Sequence, residues 1–189
     1  ISKFNIYELQ EYNLKVESEY INKYIKIEVK SEKKNDFVLS AFQYSSKSER
    51  IQLAQGYQYG SILYLSAKQV RDEKIFIDLE CSDYSSCSGT IECELLDKIP
   101  LKEGQPINYY VTEDNQIMEF TMNIESEMNN VWARGQLDIK TEMDLKNNIV
   151  KKVNYYIIAI YKGIVNLTVK GSIGDYINVG YIGYTKKES

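Results

Sequence analysis

Three cysteines stand at even intervals in the segment Cys81-Ser82-Asp83-Tyr84-Ser85-Ser86-Cys87-Ser88-Gly89-Thr90-Ile91-Glu92-Cys93. Structural zinc sites use closely spaced Cys pairs, commonly completed by His. Here the spacing is wider and the chain has no His at all, so a metal site is not expected. Cys81 ends one apolar alternation and Cys87 lies in the polar loop that follows. A Cys81–Cys87 disulfide is therefore expected to pin a hairpin in an oxidising compartment. Cys93 shares the phase of Ile91 and Leu95 and is expected to be a buried, unpaired thiol that packs like a small hydrophobe. The competing reading is three reduced thiols.

The absence of His also removes the side chain that most often acts as general base near neutral pH. Ser–His–Asp and Cys–His catalysis cannot be assembled within this chain. The 27 Asp and Glu leave carboxylate-pair hydrolysis open by composition, but they are interspersed with cations and read as surface charge. Gly174-Asp175 lacks the spaced acidic ligands of a calcium loop. The chain is thus read as non-enzymatic and without cofactor. Its net charge of −4 comes with no concentrated basic face, so nucleic acid is not an expected partner.

The residues suited to recognition are aromatic and amide-bearing. Trp132 is the one tryptophan among 17 tyrosines, and Arg134, two positions on, shares its strand face. Trp132 either packs in the core or, with the strand turned over, joins Arg134 as an exposed anchor of the kind enriched at interface hot spots. Tyr57, Tyr59, Tyr109, Tyr110, Tyr155, Tyr156 and Tyr161 form a second reservoir, in which adjacent pairs send one ring inward and one outward. Asn166-Leu167-Thr168 is a glycosylation sequon. Asn166 is expected on the exposed side of its strand, opposite Val165, Leu167 and Val169.

The elements that position these residues are strands. Period-two alternation dominates, as in Tyr24–Lys30, Lys74–Ser82 and Thr90–Leu95. Further strands are expected over Phe37–Tyr44, Ser61–Ser66, Ile107–Thr112, Ile117–Asn123, Val131–Arg134, Val153–Ile160, Ile164–Lys170 and Tyr176–Tyr184. Lys30–Asp36 reads as a solvated turn, Ser82–Ser88 as a loop, and Glu142–Asn148 as a short helix or irregular stretch. The pattern repeats, aligning Gly56 with Gly135 and Gly89 with Gly174, with a break near Ile99–Pro106. The expected fold is all-β: two tandem immunoglobulin-like antiparallel sandwiches, residues 1–100 and 101–189. No apolar run approaches the length of a membrane span. The sequence starts at Ile1 without a basic-then-apolar leader and is read as part of a longer protein.

Tyr109-Tyr110-Val111, Met118-Glu119-Phe120, Asn130-Val131-Trp132-Ala133-Arg134-Gly135 and Ser172-Ile173-Gly174-Asp175 together resemble the bacterial pre-peptidase C-terminal domain. That family carries an Asp-Leu-Tyr-Val-Arg run where this chain has Asn-Val-Trp-Ala-Arg. The resemblance covers the second half well and the first half loosely, with Gln55 in place of the Arg. The Lys-, Asn-, Ile- and Tyr-rich texture is similar to the lumenal parts of the amoebic cysteine protease-binding family, transport receptors that carry hydrolases to lysosomes and phagosomes. These resemblances imply a monomeric, lumenal or extracellular protein-binding module whose partner is a cysteine protease or another hydrolase. They also imply membrane attachment only through an anchor outside this sequence, with the tail Lys186-Lys187-Glu188-Ser189 near it. The alternative is a carbohydrate-binding or adhesive surface module.

Overall fold

A computed structural model describes residues 2–6, 9–31, 37–56, 62–81, 87–114, 116–126, 128–137, 139–145, 148–153, 155–159 and 162–184. The expected turn over 32–36, the loop over 82–86 and the basic tail lie outside them, as do Tyr57, Tyr59 and Tyr161. The chain divides into two compact units, Ile1–Asp97 and Lys98–Ser189. Both are built from sheets that are antiparallel apart from one short parallel pairing in the second unit, and among the described residues the helical elements are two 3-10 turns, Ser18–Tyr20 and Ala67–Gln69.

The first unit has eight strands: β1 (Ser2–Ile6), β2 (Leu9–Lys15), β3 (Tyr24–Lys30), β4 (Phe37–Tyr44), β5 (Arg50–Gly56), β6 (Ile62–Ser66), β7 (Lys74–Cys81) and β8 (Cys87–Leu96). They form two four-stranded sheets, ordered β1-β8-β3-β6 and β2-β7-β4-β5. Alternation explains the packing. On β3, Ile25, Ile27 and Val29 are buried, whereas Lys26 and Glu28 stay partly in solvent. Ile25, Ile27, Leu63, Leu65 and Ile91 from one sheet share a single apolar cluster with Leu39, Leu53, Ile75, Ile77 and Leu79 from the other. Two one-sided sheets that bury their apolar faces against each other satisfy both at once.

The second unit contains β9 (Ile99–Pro100), β10 (Ile107–Tyr110), β11 (Ile117–Ile124), β12 (Met128–Arg134), β13 (Lys140–Leu145), β14 (Asn148–Val153), β15 (Tyr155–Ala159), β16 (Gly163–Lys170) and β17 (Tyr176–Tyr184). Its sheets run β10-β17-β12-β15 and β14-β13-β16-β11-β9. The buried Tyr109 ring lies 6.1 Å from the Phe120 ring, which ties one sheet to the other.

The connectivity of the two units is the same. In the first, β1 pairs with β8, β2 with β7, β3 with β6 and β4 with β5. In the second, β10 pairs with β17, β11 with β16, β12 with β15 and β13 with β14. Each unit is therefore one long hairpin rolled up about its central turn, with β9 added in the second. The immunoglobulin order expected from the sequence keeps its first two strands in one sheet; here β1 and β2, like β10 and β11, lie in different sheets.

This correspondence also corrects the repeat. Gly56 ends β5, whose counterpart is β14, whereas Gly135 follows β12, the counterpart of β3. The Gly56–Gly135 alignment is wrong because β1 and β2 escape the alternation count and shift the register by two strands. Gly89 and Gly174 fare better, lying within β8 and in the turn before β17. The segment expected as helix or irregular is the β13–β14 hairpin. Its alternation is hidden because the buried position, Thr141, is itself polar and Glu142 faces out.

Candidate functional site

The outer face of the sheet β10-β17-β12-β15 gathers the residues expected from the sequence to serve recognition. Val131 and Ala133 are buried, so Trp132 and Arg134 point outward, Trp132 half-buried and Arg134 exposed. Trp132 therefore points away from the core. Its strand partner is Gly180. A Cβ on Gly180 would lie 2.7 Å from the indole Cζ2 and 3.0 Å from Pro106, so the glycine is the bed on which the indole rests. The indole Nε1–H donates to Asn178 Oδ1 at 2.6 Å, and Asn178 Nδ2 donates in turn to Asn108 Oδ1 at 2.7 Å. This chain of amides fixes the ring's orientation. The Arg134 guanidinium sits 5.9 Å from the indole centroid, and makes no ion pair with any described residue.

Tyr110 and Tyr176 extend the face, their rings 4.5 Å apart. Ile182, 43 % exposed, flanks Asn130 on the same side. Tyr109 turns inward and Tyr110 outward, as expected of an adjacent pair. Tyr156 is the strand partner of Trp132 on the far side. Tyr176, Asn178 and Ile182 were missed as site residues, although Tyr176-x-Asn178-x-Gly180-x-Ile182 alternates with the buried Ile177, Val179 and Tyr181. That alternation was the signal.

The counterpart of this face in the first unit, on β3 and β8, is a charge ladder. Lys26 pairs with Glu28 at 3.3 Å and Lys30 with Glu92 at 2.9 Å. Hydrogen bonding and attraction to Lys30 hold the Glu92 carboxyl below its ordinary range. Tyr24 and Tyr64 share this face with Lys26 and are buried, so the two faces differ in a Lys–Glu ladder against an indole and a guanidinium, while both hold aromatic rings.

The first unit has its own aromatic cluster on the sheet β2-β7-β4-β5, which the sequence reading did not single out. Phe42 stacks on Phe76 at 5.6 Å, and Tyr44 stands edge-on to both. Arg50 lies 3.7 Å over the Phe42 ring and donates to Asp78 at 2.8 Å. Phe42 is fully buried, so the arginine is a lid that closes this cluster. Arg134 lies farther from its ring, 5.9 Å from the Trp132 centroid, and no carboxylate among the described residues holds it there.

Asp175 is buried, and its carboxylate accepts from the backbone N–H groups of Gln136, Leu137 and Tyr176 at 2.8, 3.2 and 2.8 Å. These bonds occupy it as a turn anchor. No group of three or more potential metal ligands occurs among the described residues.

Cys81 and Cys87 form a disulfide with Cα atoms 6.1 Å apart. Cys93, expected buried, is exposed. It does face inward, in phase with Ile91 and paired with Ile27. Burial of its flanks still pushes the thiol pKa up, which leaves it protonated at neutral pH. Asn166 is half-exposed in β16, a strand paired on both sides. No helix among the described residues is long and apolar enough to cross a membrane, a statement that does not bear on strands. No protein-family model matches the chain, and no curated protein matches it.

Proposed function

We propose that the chain is a non-enzymatic protein-binding module made of two tandem β-sandwich domains with jelly-roll connectivity, derived from one duplicated unit. Its recognition surface is the outer face around Trp132 and Arg134. The observation that carries this reading is the contrast between equivalent faces: a fixed indole beside an arginine that makes no ion pair with a described residue in the second unit, a Lys–Glu ladder in the first. A rigid aromatic beside an exposed guanidinium, with Tyr176 and Ile182 nearby, supplies the anchor chemistry of protein interfaces.

The partner is a hydrolase, a cysteine protease foremost, and the module acts in the lumen of the endomembrane system or outside the cell. Within that reading the chain is a lumenal part of a transport receptor, a monomer, glycosylated at Asn166. A second reading, carbohydrate binding, draws on the indole held flat by the Asn178–Asn108 chain, since flat aromatics with in-plane amides also suit sugar rings.

The test is binding of the immobilised chain to purified cysteine proteases and, in parallel, to immobilised glycans. Arg134→Ala should leave the melting temperature unchanged and weaken protease binding by about 1–3 kcal/mol. Retention on glycans without protease binding replaces the first reading by the second. Retention on neither removes both.

A further inference from the structure

Charge is spread unevenly over the chain. Charged residues make up 26 % of it, yet the four strands of the sheet β10-β17-β12-β15 contain no Asp, Glu or Lys, and Arg134 is their one charged residue. The counterpart sheet of the first unit carries Lys26, Glu28 and Lys30 on β3 and Glu92 and Glu94 on β8.

Register places Arg134 in a row with Asn178 and Asn108, between the row of Trp132 and Gly180 and the row of Tyr176 and Tyr110. Past Arg134 the chain turns, and that turn carries Leu137, 46 % exposed. Ile173, 54 % exposed, stands in the turn before β17. Asp175 fastens the two turns together by accepting from the N–H groups of Gln136, Leu137 and Tyr176. The guanidinium is thus flanked by aromatic rings on the sheet and by aliphatic side chains beyond its end.

This setting restricts what can cover it. A partner that settles on the apolar groups also strips water from the guanidinium. An apolar partner strands a buried cation there, and a basic partner adds repulsion; both are penalised. A carboxylate offsets the loss through two parallel N–H···O bonds, and their attraction strengthens as water leaves. The Asp175 bonds decide which kind of carboxylate fits. Capture of a chain terminus relies on free backbone N–H groups, and those of Gln136, Leu137 and Tyr176 are already taken. The donor offered to an incoming anion is the guanidinium, which suits a side chain.

Resting on the recognition face assigned above, we propose that the partner's epitope is an internal Asp or Glu flanked by apolar residues. Its carboxylate pairs with Arg134, and its apolar neighbours lie on Trp132 and on the Tyr110–Tyr176 pair.

The probe is the blocked peptide acetyl-Ser-Leu-Glu-Leu-Ser-amide, titrated into the intact chain with the single tryptophan as reporter. A saturable change in Trp132 emission is expected, and the peptide with Gln in place of Glu should bind at least about tenfold more weakly. Arg134→Gln should erase that preference. Arg134→Lys, which keeps the charge and loses the planar fork, should retain part of it. Equal affinity for the two peptides, no saturable response at millimolar peptide, or a preference that survives in Arg134→Gln overturns the proposal. So does a stronger response to the Gln peptide with a free C-terminus, or to glucuronate, which would make a chain terminus or an acidic sugar the ligand. Failure of the protease reading is seen separately. A chain that binds proteases and loses them in Trp132→Ala, but shows no preference for the Glu peptide, keeps that reading and loses this inference. A chain that prefers the Glu peptide and binds no protease does the reverse.

Discussion

The carboxylate of Asp175 occupies the space that a side chain on Gly135 would need: a Cβ there would meet Oδ2 at 2.1 Å. The two residues are forty positions apart and belong to different turns. Asp175 follows the turn at Gly174, where φ is +90°, and reaches back to cap the chain as it leaves β12. The Arg-Gly and Gly-Asp pairs noted in the sequence are thus one structural device. Gly135 is small so that a buried carboxylate can collect the backbone N–H groups after Arg134.

Gly135→Ala should therefore destabilise the second unit by about 2–3 kcal/mol, through overpacking and the loss of those hydrogen bonds. Asp175→Ala should cost a similar amount by stranding buried donors. Because both changes break one contact, the double variant should lose clearly less than the sum of the two. Denaturant midpoints of the four proteins measure this; strict additivity would show that the pair does not act as a unit.

The strands carrying strong apolar alternation were legible in the sequence: β3, β4 and β17 have the expected bounds, and β7 and β16 nearly so. What escaped were strands whose inward positions are polar or whose outward positions dominate, such as β13 with Thr141 buried. Sheet order was not legible, because it depends on which strands pair across the rolled hairpin, and alternation records only the face. Trp132 shows the same limit. Its phase with Arg134 could be read, but the side that faces the core was decided by Val131 and Ala133, two small residues with a weak signal of their own. Cys93 had the right phase and the wrong burial, since phase gives direction but not the cover that packing elements supply.

Only one thiol should react under native or denaturing conditions without reductant, and it should be Cys93. Reduction should expose all three cysteines and cost about 2 kcal/mol, the chain-entropy value for so short a loop. Alkylation followed by peptide mapping distinguishes the sites. Reaction of Cys93 only after unfolding would contradict its exposed position.

Tyr12 places a hydroxyl in a buried position where it has no hydrogen-bond partner among the described residues. Burial raises its pKa, the same desolvation seen from the ionised side. Its ring packs against the first core together with Leu14. Tyr12→Phe keeps that packing and removes the unsatisfied oxygen, so it should stabilise the first unit by about 1 kcal/mol. A fall in the denaturant midpoint would mean that the hydroxyl has a partner.

Gly180 offers a test of the Trp132 surface that needs no ligand. Its backbone is paired with Trp132, and a Cβ there would meet the indole at 2.7 and 3.1 Å and Pro106 at 3.0 Å. In Gly180→Ala the cheapest response is for the ring to lift, because the buried Val179 and Tyr181 on either side hold the strand in place. Lifting breaks the bond from Nε1–H to Asn178 and exposes more of the indole. The single tryptophan makes this directly visible: emission should shift to the red, quenching by iodide should rise, and stability should fall by about 1–2 kcal/mol. Asn178→Ala should produce the same spectral direction without the steric push, as it removes the acceptor alone. Unchanged emission in both variants would mean that the indole is not held by Gly180 and Asn178. The case for a fixed anchor beside Arg134 would then fail before any partner was sought.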